Sequence, residues 1–535
     1  MRASLGQLGR RTDAIVALGL ASIYALAVAR TLQGSGSGLM LAAVFMPLAL
    51  APLAVLRRTP LPRMQAVALA ACSTITGALV MSLLIANAPA IGIAIPVLAV
   101  TAVACTRFPA VALTGAFLAA GTFGSISAFT PASGQQIVDL LLAGLWLAAI
   151  WGWTLRGQAH RVYVWPGVAL LAAFVLLSAG YVLTAPTATA GLQSFRASIW
   201  YLAAVLLVAY APWGDLARAR ALRLVTVAIG LIGGYAALRW AIGPAPQERE
   251  QAQQILNNFL DKSLRPVGSL ATSKELAAWT AITIPVAAGM ALTGRGRFRI
   301  LASVALGLSV IGMLAADVRA GPASAVPGVA VVLGLYALSQ AYRGRRGATV
   351  AVALAATAFG GAGAFALTLG DNNDSGRRYQ AILDPTTDAS YQARLIKWRT
   401  ALKDIDAKPL GHGLGTTGTV QKRYGEFSTI GSVDVDNSYL KVAFEQGFFV
   451  LVLFGASMVL LLLGLARRGL VSLDPARAGP AIAACGTLTA MLIIFFVGGY
   501  IEGLPALGGW VLVGLGVSQF TAAPADGQEA QASDV

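Results

Sequence analysis

Apolar runs of about 20 residues, the length that crosses a hydrocarbon layer as a helix, recur along the chain with short polar segments between them. On that template spans fall near 14–32, 38–56, 64–86, 89–106, 109–129, 135–155, 166–184, 197–212, 221–242, 276–293, 299–316, 323–342, 348–370, 439–465, 480–498 and 503–520. The pattern predicts an all-α polytopic membrane protein with about sixteen transmembrane helices. The first run follows Arg10, Arg11 and Asp13 without a small-residue cleavage site, so it reads as a retained first helix.

The polar segments orient these helices. Arg57, Arg58 and Arg63 follow the second span, and Arg107 the fourth. Arg156 and Arg161 follow the sixth, and Arg218, Arg220 and Arg223 the eighth. Arg295, Arg297 and Arg299 follow the tenth, and Arg343, Arg345 and Arg346 the twelfth. Arg467, Arg468 and Arg477 follow the fourteenth. Every cluster follows an even-numbered span, which puts all of them, with Arg2, Arg10, Arg11 and both termini, on the cytoplasmic side. The other face then receives 243–275, a short turn at Asp317–Gly321, and 371–436. That last stretch is the longest hydrophilic one, with nine Lys/Arg and nine Asp/Glu. Balanced charge is no topology signal, so it calls for another explanation.

Within it Tyr391, Leu395, Trp398, Leu402 and Ile405 recur at helical spacing, with Asp388 placed to cap the start. This predicts an amphipathic helix on the membrane surface or on the bundle. Pro409-Leu-Gly-His-Gly-Leu-Gly415 follows, a turn with exposed amides. Five regions result. They are N-terminal helices 1–242, central helices 243–370, an extracytoplasmic loop 371–438, C-terminal helices 439–521 and a disordered tail 522–535.

Composition agrees. Of 535 residues 57% are hydrophobic and 12% charged, with mean hydropathy +0.72, against about 25% charged in soluble domains. The net charge of +16 reflects cytoplasmic Lys and Arg rather than nucleic-acid binding, since no basic aromatic module accompanies it. Cys72, Cys105 and Cys485 sit in apolar runs without CxxC spacing, and the two histidines, His160 and His412, are too few for a His-rich metal site. Asp371, Asp374, Asp384 and Asp388 fit no cation loop and read as solvated surface. No metal or cofactor is expected.

Four ordered segments carry a resemblance. They are Arg265-Pro-Val-Gly268 through Thr272-Ser-Lys-Glu-Leu-Ala277, Asp317-Val-Arg319-Ala-Gly321, Arg394-Leu-Ile-Lys-Trp398 through Pro409-Leu-Gly-His-Gly-Leu-Gly415, and Asp436-Asn437-Ser-Tyr-Leu440 through Glu445-Gln-Gly447. Together they resemble the O-antigen ligase and Wzy-type polysaccharide polymerase superfamily. Two positions depart from its pattern. Thr272-Ser273-Lys274 stands where Asn-Pro-Asn is usual, and Asp436 stands where the ligases carry a histidine thought to act as base.

The resemblance implies a GT-C-like glycosyltransferase of the cell (inner or plasma) membrane, active on its periplasmic or extracellular face. It would move an oligosaccharide from a polyprenyl diphosphate donor to an acceptor glycan or glycolipid, inverting the anomeric carbon; ligase and polymerase stay open. A departing diphosphate calls for cationic forks, a role assigned to Arg265, Arg319 and Arg394. An attacking hydroxyl calls for a base, assigned to Asp436, with Asp434 as substitute; Asn437 orients Asp436 or bonds a sugar.

Each choice has a plainer reading. The arginines meet lipid headgroups, Asp436 caps the next helix, the glycine loop is a simple turn rather than a phosphate cradle, and Trp398 is an interface anchor rather than a sugar platform. Glu445, deep in its expected span, reads as the structural partner of a buried arginine or backbone donor. The rival function is a transporter or flippase for lipid-linked oligosaccharides, which would hold ionisable groups at mid-membrane; a non-catalytic assembly partner is a third.

Overall fold

The structure, a computed structural model, describes residues 89–130, 134–156, 164–255, 258–260, 263–344, 389–418, 420–421, 435–472 and 475–518. The expected spans at 14–32, 38–56, 64–86 and 348–370 lie outside the described residues. So do the stretch 371–388 with its aspartates and the Asp388 cap, Asp434, Cys72, His160 and the tail.

In chain order the helices are α1 (Pro89–Arg107), α2 (Pro109–Gly121), α3 (Phe123–Phe129), α4 (Gly134–Arg156), α5 (Pro166–Gly180), α6 (Ala188–Ser194), α7 (Ala204–Tyr210), α8 (Asp215–Ile242) and α9 (Pro246–Gln253). After two paired two-residue strands, β1 (Phe259–Leu260) and β2 (Ser263–Leu264), come α10 (Ser273–Thr293), α11 (Gly296–Ala315), α12 (Ala320–Tyr342), α13 (Ala389–Ala407), α14 (Ser438–Gln446), α15 (Phe448–Val471), α16 (Pro475–Val497) and α17 (Leu504–Ser518).

Eight described helices are long and apolar enough to cross a membrane, and ten spans result if each of two bent pairs counts as one. The chain is a polytopic α-helical membrane protein. The expected sixteen is not reached among the described residues. One bent pair is α2 with α3, turning by 75° at Thr122; the other joins α6 and its π-helical continuation to α7 at 42°. The expected span 439–465 is also corrected. It is two helices, α14 and α15, parted at Gly447, whose φ of 91° no helix contains.

The chain divides into two compact units. Among the described residues the first holds 89–116, 137–156 and 211–217, and the second the remainder. In the first, α1 and α4 touch where a side chain at Gly144 would meet Thr101 and, at 3.2 Å, the Cys105 sulfur.

The second unit is built around α10, buried continuously from Leu276 to Met290. Small residues bring helix backbones into contact there, as is usual between helices in lipid. A Cβ on Gly289 would stand 2.7 Å from Ala483 of α16, and one on Gly328 of α12 would stand 2.7 Å from the Gly486 carbonyl. The outer faces stay apolar, as Phe449, Val452 and Leu463 on α15 and Ile300 and Val304 on α11 show. A bilayer covers such faces.

The close contacts also fix direction. Gly321 at the start of α12 packs on Ala277, and Gly508 near the start of α17 on Trp279. Gly268, ahead of α10, packs on Ala236 near the end of α8. The amino ends of α10, α12 and α17 and the carboxyl ends of α8 and α16 therefore share one end of the unit. At the opposite end lie Arg218, Arg220 and Arg223 of α8, Arg295 just before α11 with Arg297 and Arg299 in its first turn, Arg343 after α12, and Arg467 and Arg468 of α15. Arg343 donates there to the Ser472 carbonyl. Among the described residues these basic clusters stand opposite the four motif segments, as the loop alternation predicts.

Candidate functional site

The motif segments are held at their end by polar contacts. Buried Asn258 receives the Ser273 N–H on Oδ1 at 3.1 Å and donates to the Ala252 and Ala271 carbonyls, tying 243–275 to the first turn of α10. Thr272 and Glu275 form a capping box there: Glu275 N–H donates to the Thr272 hydroxyl, and the carboxylate accepts from Thr272 N–H at 3.0 Å. Buried Glu248 of α9 draws together Ser125, Tyr235 and Arg239, with Arg239 Nε 3.0 Å from its carboxylate. Arg265 follows β2, half-buried, its N–H donating to the Asn258 carbonyl. Arg319 is the half-buried N-cap residue of α12.

α13 exists as expected, but its inward stripe differs. Tyr391, Arg394, Leu395 and Trp398 are half-buried and Ala401 and Ile405 fully buried, whereas Leu402 faces outward at 53% exposure. Steps of three and four residues run equally well through 391, 394, 398, 401 and 405 as through Leu395 and Leu402, so spacing alone does not choose between the two stripes. Ile405 packs on Ala443 and Phe444 of α14. Trp398 meets Phe496, at the end of α16, edge-on at 5.2 Å. Arg394, one turn before Trp398, thereby faces the site end of α16.

The glycine loop is a turn clasped onto α14. His412 N–H donates to the Phe444 carbonyl, Gly413 N–H to that of Glu445, and Phe448 N–H returns to Pro409. Two positive-φ glycines make the approach possible: a Cβ on Gly411 (φ 87°) would stand 2.6 Å from the Glu445 carbonyl, and one on Gly413 (φ 96°) would collide with the Thr184 carbonyl. With those amides engaged, the simple-turn reading stands for Gly411–Gly413. The His412 ring stacks on Phe444 at 4.2 Å, with Nδ1 3.2 Å from the Phe444 carbonyl.

Asn437 is the N-cap of α14. Its Oδ1 accepts from Tyr439 and Leu440 N–H, and its Nδ2 donates to the Phe496 carbonyl at 3.1 Å. The cap is therefore Asn437 rather than Asp436, and it fixes the backbone from which Asp436 projects. Asp436 is half-buried, and among the described residues neither it nor Arg394 forms an ion pair.

A further segment joins them. Residues 498–503, Gly-Gly-Tyr-Ile-Glu-Gly, turn over α14: Ser438 Oγ donates to the Gly498 carbonyl at 2.8 Å and accepts from Ile501 N–H at 3.0 Å. Tyr500 lies at the crest. Burial pushes its phenol up; the charge of Arg394 opposes this, and those of Glu275 and Asp436 add to it. Trp398 and Asn437 both meet Phe496, and Ser438 meets the turn of Tyr500, so α13 with Arg394, the start of α14 with Asp436 and this turn share one end, where Arg319 and Arg265 stand on neighbouring segments.

Beneath lies a buried charge cluster. Lys441 Nζ sits 2.6 Å from Glu445, 2.9 Å from Glu502 and 2.8 Å from the Thr417 hydroxyl. Glu445 also accepts from Thr417 N–H, from the Thr417 hydroxyl and from Ser194. Glu445 thus has the expected backbone donor, the Thr417 N–H, and its charged partner is a lysine one turn earlier rather than an arginine. Burial pulls the Lys441 amine down, but the two carboxylates outweigh it and hold it well above the ordinary value. Burial raises Glu502, with Lys441 opposing. Lys441, Glu502 and Tyr500 are absent from the residues the sequence singles out. Two charges at i and i+4 in an apolar run, and a glycine-rich hexapeptide between two spans, are the signals that mark them.

No curated protein matches the chain. Residues 267–455, which contain the Arg319 turn, α13, the glycine loop and Asp436, match the family model described as O-Antigen ligase, so over this segment the chain is similar to that family.

Proposed function

We propose that this protein transfers an oligosaccharide from a polyprenyl diphosphate to a hydroxyl of an acceptor glycan or glycolipid, on the extracytoplasmic face of the cell membrane. The observation that carries the reading is that α13 with Arg394, the start of α14 with Asp436 and the turn of Tyr500 meet at the end of α16, through Trp398 and Asn437 on Phe496 and Ser438 on Gly498, with neither charge in an ion pair among the described residues. The acceptor hydroxyl attacks the anomeric carbon and gives its proton to Asp436. The new glycosidic C–O bond forms as the bond from that carbon to phosphate oxygen breaks, and the diphosphate leaves on its lipid with the bonding electrons. A single displacement of this kind inverts the anomeric centre. Arg394, with Arg319 and Arg265, neutralises the departing oxygens.

The transporter alternative gains nothing from these observations. The ionisable cluster at Lys441 pairs its own charges, Lys441 with Glu445 and Glu502, at the end that carries the motif segments. Asp436→Asn and Arg394→Ala, each returned to a deletion strain, test the proposal through the length of surface glycan and of lipid-linked glycan. Loss of a general base costs about 10²–10⁴ in rate, so Asp436→Asn should leave single repeats, or full chains still on the carrier. Normal surface glycan from both variants, with the protein present in the membrane, overturns it.

A further inference from the structure

Resting on that reading, we infer that Tyr500 is the acceptor-side contact of the site, its ring and hydroxyl holding the attacking sugar beside Asp436. Three observations converge. The turn carrying Tyr500 is pinned on both sides, at Gly498 and Ile501, to Ser438, two residues past Asp436. It is braced again where Gly503 N–H donates to the Ala197 carbonyl and where Glu502 meets Lys441. The ring lies directly on Gly498, where any Cβ would strike it, so the glycine leaves the space the ring fills.

The phenol is carried by a turn bonded on both sides to Ser438, two residues past Asp436, and among the described residues its hydroxyl has no hydrogen-bond partner. Its raised proton affinity keeps it neutral, a donor and acceptor at once. A neutral hydroxyl beside an aromatic face suits a sugar, which offers hydroxyls at its edge and C–H groups on its flat side. It suits a diphosphate less well, since phosphate oxygens accept and call for cations. The arginines thus take the donor's diphosphate and Tyr500 the acceptor.

The test uses the full chain in lipid nanodiscs. Lipid-linked glycan extracted from a deletion strain serves as donor, and the purified surface glycan or glycolipid of that strain as acceptor. Tyr500→Phe should lower the rate at limiting acceptor about tenfold, the worth of one hydrogen bond, and leave half-saturation by the donor unchanged. Gly498→Ala, which keeps the phenol but displaces the ring, should show the same split. An unaltered rate at limiting acceptor in both variants overturns the inference, as does a defect that falls on donor half-saturation instead. Asp436→Asn separates the levels: if it is inactive while Tyr500→Phe is normal, only the acceptor assignment fails; if it too is normal, the transferase reading fails.

Discussion

Replacing Lys441 with methionine removes the cation that Glu445 and Glu502 share while keeping most of its volume. At an effective dielectric of ~20, two unit charges about 4 Å apart attract by about 4 kcal/mol. The lysine makes two such contacts, at 2.6 and 2.9 Å. Part of that attraction offsets the several kcal/mol needed to bury an ammonium. What the substitution exposes is the remainder: two buried carboxylates facing each other without a counter-ion, a situation that costs about 3–5 kcal/mol. Glu445 keeps its bonds from Thr417 and Ser194, so the lower end of that range, about 3 kcal/mol, is expected. Reversible unfolding in mixed dodecyl maltoside and SDS micelles, followed by tryptophan fluorescence, measures it. The companion variant Lys441→Met/Glu445→Gln/Glu502→Gln removes every charge and should return to within about 1 kcal/mol of the starting protein. A cost below about 1 kcal/mol for the single variant, or a triple variant no better than the single one, refutes the reasoning.

Two further outcomes follow from the same region. Because burial raises Glu502 above its ordinary value of 4.5, the folded state holds that proton more tightly than the unfolded one. The stability it contributes is full below pH 4.5 and is lost as pH rises through the folded-state value; Glu502→Gln should flatten that limb in melting curves taken across acid to neutral pH. Asn437→Ala should cost about 1 kcal/mol through loss of the α14 cap and lower activity by loosening the backbone beneath Asp436. Asn437→Ser restores the cap without setting a carboxylate against the Phe496 carbonyl, and turnover recovering with it, rather than only the melting temperature, is the expected result.

Span positions and the shared end of the motifs were legible because hydropathy and basic loops average over many residues. Single-residue geometry was not. The break before α15 rests on one positive-φ glycine, Gly447, inside an apolar run that any window reads as continuous. The sharp bend at Thr122 likewise leaves no mark on mean hydropathy. Arg394 and Asp436 were legible as residue types in a charged loop. Tyr500, Glu275 and the Lys441 cluster were not, because their importance lies in contacts between segments far apart in the chain. Lys441 and Glu502, 61 positions apart, gain their roles only when α14 meets the turn before α17. Asn437 was legible as a cap-forming residue type, but which of Asp436 and Asn437 would cap α14 depended on the backbone.

The clasp between the glycine loop and α14 is made of main-chain bonds, at His412 to Phe444, Gly413 to Glu445 and Phe448 to Pro409. Such bonds ignore side-chain identity but demand bare backbone at Gly411, Gly413 and Gly447. A transplant of this loop into another scaffold would therefore carry its fit only if both halves travelled together, residues 408–418 with 443–448. The histidine and phenylalanine riding on the clasp could be exchanged far more freely than the three glycines beneath them.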